Sequence, residues 1–205
     1  ALDALLVNGK SSLHTLPAGS RLATSSLRRQ GQIMWIRSDL RILPVRGNVD
    51  TRVRKLHEGE FDAMVLAVAG LSRLNLSGAI SHVMTLREMI PAAGQGAIGV
   101  EAPIDSAFAD VWRRIDQRLA RLTVCTERAF IRSIGADCRT PAACHCVLEG
   151  ARLHIYAMVC SADGVHYLRT EHTSDPGKAQ AAAEAAARDL LARGAAEILD
   201  TARKA

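Results

Sequence analysis

Short apolar runs alternate with helix-forming stretches from Ala4 to Leu71, and that alternation limits the fold more than any other feature of the chain. Leu5-Leu6-Val7, Arg21 to Thr24, Ile42 to Val45 and Ala63 to Val68 each read as a strand. Between the first two lies a polar loop, Asn8 to Gly19, closed by Pro17-Ala18-Gly19. Ser25 or Ser26 can accept from the free N–H groups of a helix running through Ile36, and Asn48 or Asp50 can cap another that ends near Gly59. Strands alternating with helices in this way predict an α/β unit whose parallel or mixed sheet is covered on both faces. Gly94-Gln95-Gly96 then leads into Ala97 to Val100, which reads as one more strand.

The texture changes after Asp105. Phe108, Val111, Trp112, Ile115, Leu119 and Leu122 recur at helical spacing, and a second helix is expected around Glu127 to Ile134. Beyond the loop from Gly135 to Pro141, Leu153, Ile155, Ala157 and Val159 alternate along one strand face. Asp163-Gly164 is read as the hairpin turn into Val165 to Arg169. Asp175-Pro176 opens an alanine-rich helical stretch that breaks or caps at Gly194. These elements predict a small α+β C-terminal domain. The boundary between the two units is expected between about Pro103 and Leu122.

With 205 residues, 48% of them hydrophobic and 23% charged, the chain can bury a core and is not disordered. No apolar run approaches the roughly 20 residues of a membrane span, and no basic-then-apolar leader opens the chain. A cytoplasmic location with reduced thiols is expected from its five cysteines, an odd number. Only seven residues are aromatic, which argues against nucleic-acid recognition by base stacking.

The net charge of +5 resides between Arg21 and Arg73, where ten Lys and Arg face five Asp and Glu; the remainder of the chain cancels. Nine of those ten cations are arginines, the side chain suited to two-point recognition of carboxylate or phosphate. Two groups stand at predicted strand-to-helix junctions: Thr24-Ser25-Ser26-Leu27-Arg28-Arg29, and Arg46-Gly47-Asn48 with Arg52. Free helix N–H groups, hydroxyls and guanidiniums converging at one sheet edge make an anion site. Arg28, Arg29, Arg46 and Arg52 are therefore expected to form one cluster, against the alternative of capped helices with solvated arginines. Gly94-Gln95-Gly96 permits close backbone approach to a ligand, or a bulge.

Cys138 stands in Gly135-Ala136-Asp137-Cys138-Arg139-Thr140-Pro141, a loop whose adjacent cation favours thiolate. Cys144 and Cys146 flank His145 where a strand begins, so the two thiols share one face and the imidazole takes the other. Without a Cys-x-x-Cys pair no metal site is expected, and Cys125, Cys144, Cys146 and Cys160 are read as buried, inert thiols.

At this level of detail the chain resembles the porphobilinogen deaminase (hydroxymethylbilane synthase) family. The matching stretches are Leu16 to Gly19 with Thr24 to Gln30, Val45 to Val49 with Thr51-Arg52, Gly59 to Ala63 and Leu66 to Leu71. They continue through Pro91, Gly94 to Ala97, Glu127 to Phe130, Cys138 with Pro141, and Gly194 to Leu199. They run in order over nearly the whole chain. The resemblance implies a periplasmic-binding-like, anion-binding α/β domain over residues 1–93, a crossover strand and helix over 94–117 that belong to an absent first domain, and a small α+β C-terminal domain over 118–205. It also implies a transferase of tetrapyrrole biosynthesis that joins four porphobilinogen molecules head to tail, releasing ammonia and hydroxymethylbilane.

The cofactor implied is a dipyrromethane held as a thioether on Cys138. Thr24, Ser26, Arg28, Arg29, Gly70 and Gln95 would surround it, and Arg46, Arg52 and Arg73 would bind substrate carboxylates. The partners implied are porphobilinogen and the growing polypyrrole chain, with neither nucleic acid nor membrane, in an enzyme that is a monomer when intact. The family's catalytic aspartate belongs to an N-terminal domain with no counterpart in this sequence, so the chain is expected to be a fragment inactive by itself. Ala136-Asp137 replaces the glycine pair usual before the cofactor cysteine. The competing reading is a non-catalytic anion-binding module of periplasmic-binding-like fold.

Overall fold

The computed structural model describes residues 1–9, 11–137 and 139–204. Five strands form the first sheet: β1 (Asp3–Val7), β2 (Arg21–Ala23), β3 (Arg41–Leu43), β4 (Ala63–Ala67) and β5 (His82–Val83), in the order β3-β2-β4-β1-β5. β2 runs parallel to β3 and β4, whereas β1 runs antiparallel to β4 and β5. The sheet is thus mixed, as the alternation predicts.

Strand periodicity divides its side chains between two cores. Leu5, Leu22 and Val65 pack with Ile33 of α1 (Leu27–Ile36) and with Met84 and Met89 on one face. Leu6, Met64 and Leu66 pack on the other with Val53 and Leu56 of α2 (Val49–His57) and Leu71 of α3 (Val68–Arg73). Both helix starts are local in origin. Ser26 Oγ accepts from Arg29 N–H at 3.4 Å and Asn48 Oδ1 from Thr51 N–H at 3.3 Å, each replacing a bond the first helical turn lacks.

The second sheet is antiparallel, with β6 (Ala142–Glu149), β7 (Arg152–Cys160) and β8 (Tyr167–Ser174) in chain order. Leu153, Ile155, Ala157 and Val159 of β7 face Phe130 of α5 (Arg118–Ser133), Ala183, Ala186, Ala187 and Leu190 of α6 (Ala179–Ala192) and Leu199 of α7 (Ala195–Lys204). Small alanines on α6 let that helix lie close to the sheet.

The opposite face of the second sheet packs on the first unit. Met158, Cys160 and Ala143 bury Ile90, with Tyr156 and Tyr167 partly buried beside them. α1 reaches the same hairpin: a Cβ at Gly31 would overlap Cys160 Sγ and the carbonyl oxygen of Ser161, so only glycine permits this approach. Trp35 stacks on Tyr167 with ring centroids 5.2 Å apart.

Four details depart from the sequence reading. Residues 97–100 form no strand: Ala97 to Val100 is exposed and irregular, because no neighbouring strand among the described residues offers its backbone partners. The helical stretch from Phe108 divides at Asp116–Gln117 into α4 (Ala109–Ile115) and α5, so Glu127 lies within one continuous helix. β8 begins at Tyr167, two residues later than expected, because Asp163 Oδ1 accepts from Val165 N–H and prolongs the turn. Cys125 is exposed, on a face of α5 that borders a cavity.

Candidate functional site

The two arginine-bearing junctions are stitched to each other by Ser25. Its hydroxyl donates to Val45 O at 2.8 Å and accepts from Val45 N–H at 2.9 Å, fixing the end of β2 beside the residue that precedes Arg46. Thr24 is buried, with Oγ1 accepting from Ser26 N–H at 3.2 Å. Sequence reading treats Ser25 only as a possible cap, yet it registers the two junctions. Arg46 is exposed, and Arg52 is half-buried with Nε donating to Gly47 O at 2.7 Å. Gly47 has φ +114°, a backbone state that L side chains rarely adopt, which is why glycine precedes the α2 cap.

Arg28 and Arg29 converge on one carboxylate. Arg28 Nη1 donates to Asp3 Oδ2 at 2.9 Å, while Arg29 Nη2 and Nε donate to Asp3 Oδ1 at 2.7 and 3.0 Å. Asp3 is fully buried. Burial opposes its ionisation, but the Arg28 and Arg29 charges prevail and hold its carboxyl below the ordinary aspartate range. Burial likewise pushes Arg28 below its ordinary value, against the pull of Asp3. Nothing in the sequence singles out Asp3, whose partners lie 25 and 26 residues away; its one signal is an acidic residue opening an apolar strand.

The loop carrying Gln95 is held at three points. Gln95 bridges Asp3 and Arg28 (Nε2 to Asp3 Oδ1, 3.2 Å; Arg28 Nη2 to Oε1, 3.3 Å). Arg73 Nη2 donates to Gly96 O at 2.5 Å. Glu127 Oε2 accepts from Gly94 N–H at 2.6 Å, and its other oxygen accepts from Cys146 N–H at 2.9 Å. Glu127 is only 3% exposed, on the same helix stripe as Phe130 and Ile134. An acid on an apolar helix stripe is the sequence signal for this role, which a reading that gives Glu127 only a helix and a matching motif leaves unassigned. At Gly70 an added Cβ would meet Val49 in ordinary contact at 3.5 Å, so packing does not demand glycine there.

Between the two units lies a cavity of about 1160 Å³. Ser26, Arg28 and Arg73 border it from the first unit, and Arg121, Cys125 and Arg128 from α5. Asp137 and Thr140 close it at the loop, bonded to each other through Asp137 N–H to Thr140 Oγ1 at 2.8 Å. Hydrogen bonding from Arg139 N–H holds the Asp137 carboxyl below its ordinary range. Cys138, the expected attachment point, lies outside the described residues. Arg29, Arg46 and Arg52 are not among the cavity's lining side chains, so the expected single arginine cluster is divided between the cavity wall, the Asp3 network and the second junction.

The remaining thiols follow the alternation of their strand. Cys144 and Cys146 are buried toward the helices, and His145 approaches Glu127 at 3.3 Å. Burial, then the neighbouring Cys146, pushes the Cys144 thiol well above its ordinary value; burial takes Cys160 up to about 12. Among the described residues no three His, Cys, Asp or Glu side chains group as metal ligands, and no helix is long and apolar enough to cross a membrane.

Residues 1–123 match the family model described as "Porphobilinogen deaminase, dipyromethane cofactor binding domain", and residues 121–192 match "Porphobilinogen deaminase, C-terminal domain". The chain belongs to the porphobilinogen deaminase family. It is 44% identical over 201 residues to the porphobilinogen deaminase of Roseiflexus castenholzii, covering 96% of this chain and 65% of that protein. To that of Desulforudis audaxviator it is 41% identical over 202 residues (98% and 65%), and to that of Campylobacter concisus 36% over 204 residues (98% and 66%). The chain therefore spans about 65% of the length of the curated relatives it matches. The fold expected from the family resemblance, a mixed sheet flanked by helices with a small α+β unit after it, is the one observed. The cavity suits the cofactor that the porphobilinogen deaminase model names. Guanidiniums from both units border it, as do Asp137 and Thr140 of the loop between α5 and β6.

Proposed function

We propose that this chain is the portion of a porphobilinogen deaminase that binds the cofactor and holds the growing polypyrrole. The protein of the relatives' full length would join four porphobilinogen molecules head to tail, releasing ammonia and hydroxymethylbilane. The observation that carries this reading is the cavity in which Arg28 and Arg73 face Arg121 and Arg128 across to the loop of Asp137 and Thr140. Each pyrrole bears an acetate and a propionate, so the product is a polyanion, and guanidiniums match carboxylates in two-point geometry.

In this reading Cys138 holds a dipyrromethane, which when bound supplies the pyrrole carbon to which units are added. The chain's own groups bind and orient. Thr24 and Ser26 present hydroxyls at the start of α1, Arg28, Arg29 and Gln95 offer donors beside them, and Gly70 lies nearby on α3. Arg46, Arg52 and Arg73 take the carboxylates of incoming substrate. α5 and the start of β6 wall one side of the cavity and hold its guanidiniums in place. Residues 94–117, with Ile98, Val100, Ile104 and Phe108 exposed, are read as the crossover toward the part of the relatives this chain does not span. Residues 1–93 and 118–205 are the domains it joins. The reading carries with it a cytoplasmic monomer that binds neither nucleic acid nor membrane.

Turnover tests the proposal. Given porphobilinogen, the protein of full family length should release ammonia and a linear tetrapyrrole, while the 205-residue chain alone should not. A full-length protein that binds porphobilinogen without consuming it would be the anion-binding module instead.

A further inference from the structure

Asp3 accepts four hydrogen bonds from arginine and one from Gln95, although it is completely shielded from solvent. Two adjacent guanidiniums in the first turn of a helix repel each other and also oppose the positive end of that helix. Left without a counter-charge they would splay toward water. Asp3 prevents this from a rigid position, in a strand paired on both sides. Its Oδ1 takes the fork of Arg29, and its Oδ2 takes Arg28 Nη1, which also donates to Ile90 O at 2.7 Å. Arg28 Nη2 is held more loosely, at 3.5 Å to Asp3 and 3.3 Å to Gln95, and Arg28 is the member of the pair that borders the cavity.

We infer that Asp3 is a positioning residue, a built-in carboxylate that locks Arg28 and Arg29 side by side so that ligand carboxylates in the cavity meet Arg28 in a preset orientation. The inference rests on the proposed function for the ligand's identity, but not for the locking itself. Locking has a cost in charge: the three side chains together carry +1 in place of +2. Positioning and charge therefore predict opposite results when Asp3 is neutralised. If charge alone governs binding, Asp3→Asn strengthens it; if order governs, the same change weakens it despite the extra positive charge.

Two measurements on the 205-residue chain decide between them. In side-chain NMR of 15N-arginine-labelled protein, the Arg28 and Arg29 guanidiniums should show hindered rotation that is lost in Asp3→Asn. Freely rotating guanidiniums in the unsubstituted chain would overturn the inference whatever the ligand. In titration calorimetry with porphobilinogen, Asp3→Asn should bind on the order of tenfold more weakly, the loss of about one charge-assisted contact. That loss should shrink in an Arg29→Gln background, since residues acting through one another are not additive. Equal or tighter binding by Asp3→Asn would overturn the inference. Absence of binding by the unsubstituted chain would instead count against the proposed function, leaving the NMR result to judge Asp3. Should the uncompensated Arg28 unfold Asp3→Asn, the double change Asp3→Asn, Arg28→Met removes both buried charges. Compared with Arg28→Met alone, it should still free the Arg29 guanidinium, and a still-hindered Arg29 would overturn the inference.

Discussion

The carboxylate of Glu127 accepts the backbone N–H of Gly94 at 2.6 Å, and through that one bond helix α5 holds the loop that carries Gln95 to Asp3 and Arg28. Its other oxygen serves Cys146 N–H in β6. Glu127→Leu would leave both N–H groups without their acceptor. The expected cost is about 2–6 kcal/mol, at roughly 1–3 kcal/mol for each buried donor left unsatisfied. Glu127→Gln keeps oxygen acceptor capacity and should cost less. Urea unfolding followed by circular dichroism measures both.

Gly31→Ala is expected to disturb the packing of α1 on β7 more than an alanine in a helix normally does. On propensity alone the change should stabilise by up to about 1 kcal/mol. The added methyl, however, meets Cys160 Sγ and the Ser161 carbonyl, an overpacking that typically costs about 1–3 kcal/mol. Cys160→Ala should restore only part of the loss, because the carbonyl remains. Tryptophan emission provides a local readout, since Trp35 stacks on Tyr167 across this contact.

Stability should fall in acid, with a sign fixed by the carboxylates. Asp3, Asp39 and Asp62 all have folded-state pKa values below their ordinary ones. A group depressed in this way contributes stability that is present above its unfolded value of about 3.9 and is lost as pH falls through the folded one. Unfolding free energy should therefore begin to drop near pH 4–5 and continue downward. Asp3→Asn should start lower at neutral pH and lose less on acidification. An unchanged acid slope in that variant would show that folding does not lower the Asp3 pKa.

Thiol labelling should separate the cysteines by burial. In a Cys138→Ser background at neutral pH, iodoacetamide is expected to modify Cys125, which is exposed, while Cys144, Cys146 and Cys160 react only on unfolding. Peptide mass mapping reads the result. The raised pKa values of Cys144 and Cys160 reinforce their protection, because the thiolate is the reacting form.

What the sequence discloses here is what depends on near neighbours. Ser26 and Asn48 cap their helices with groups three residues on, and the alternation at Leu5, Leu6, Met64 and Val65 is a property of each strand by itself. The site is less legible because its bonds span the chain: Asp3 meets Gln95 across 92 residues, and Gly94 meets Glu127 across 33. Ala97 to Val100 forms no strand for the same reason, since an apolar run becomes a strand only where another strand accepts its backbone bonds. Cys125 occupies a helix face that reads as apolar but borders the cavity.

The central claim is that the cavity between the two units houses a cofactor carried by the loop of Asp137 and Thr140, and intact-protein mass spectrometry tests it most directly. Protein of full family length should carry an added mass equal to a dipyrromethane, absent from Cys138→Ser and retained in Cys125→Ser, Cys144→Ser and Cys146→Ser. Active protein of unmodified mass, or an adduct that maps to Cys125, would contradict the account.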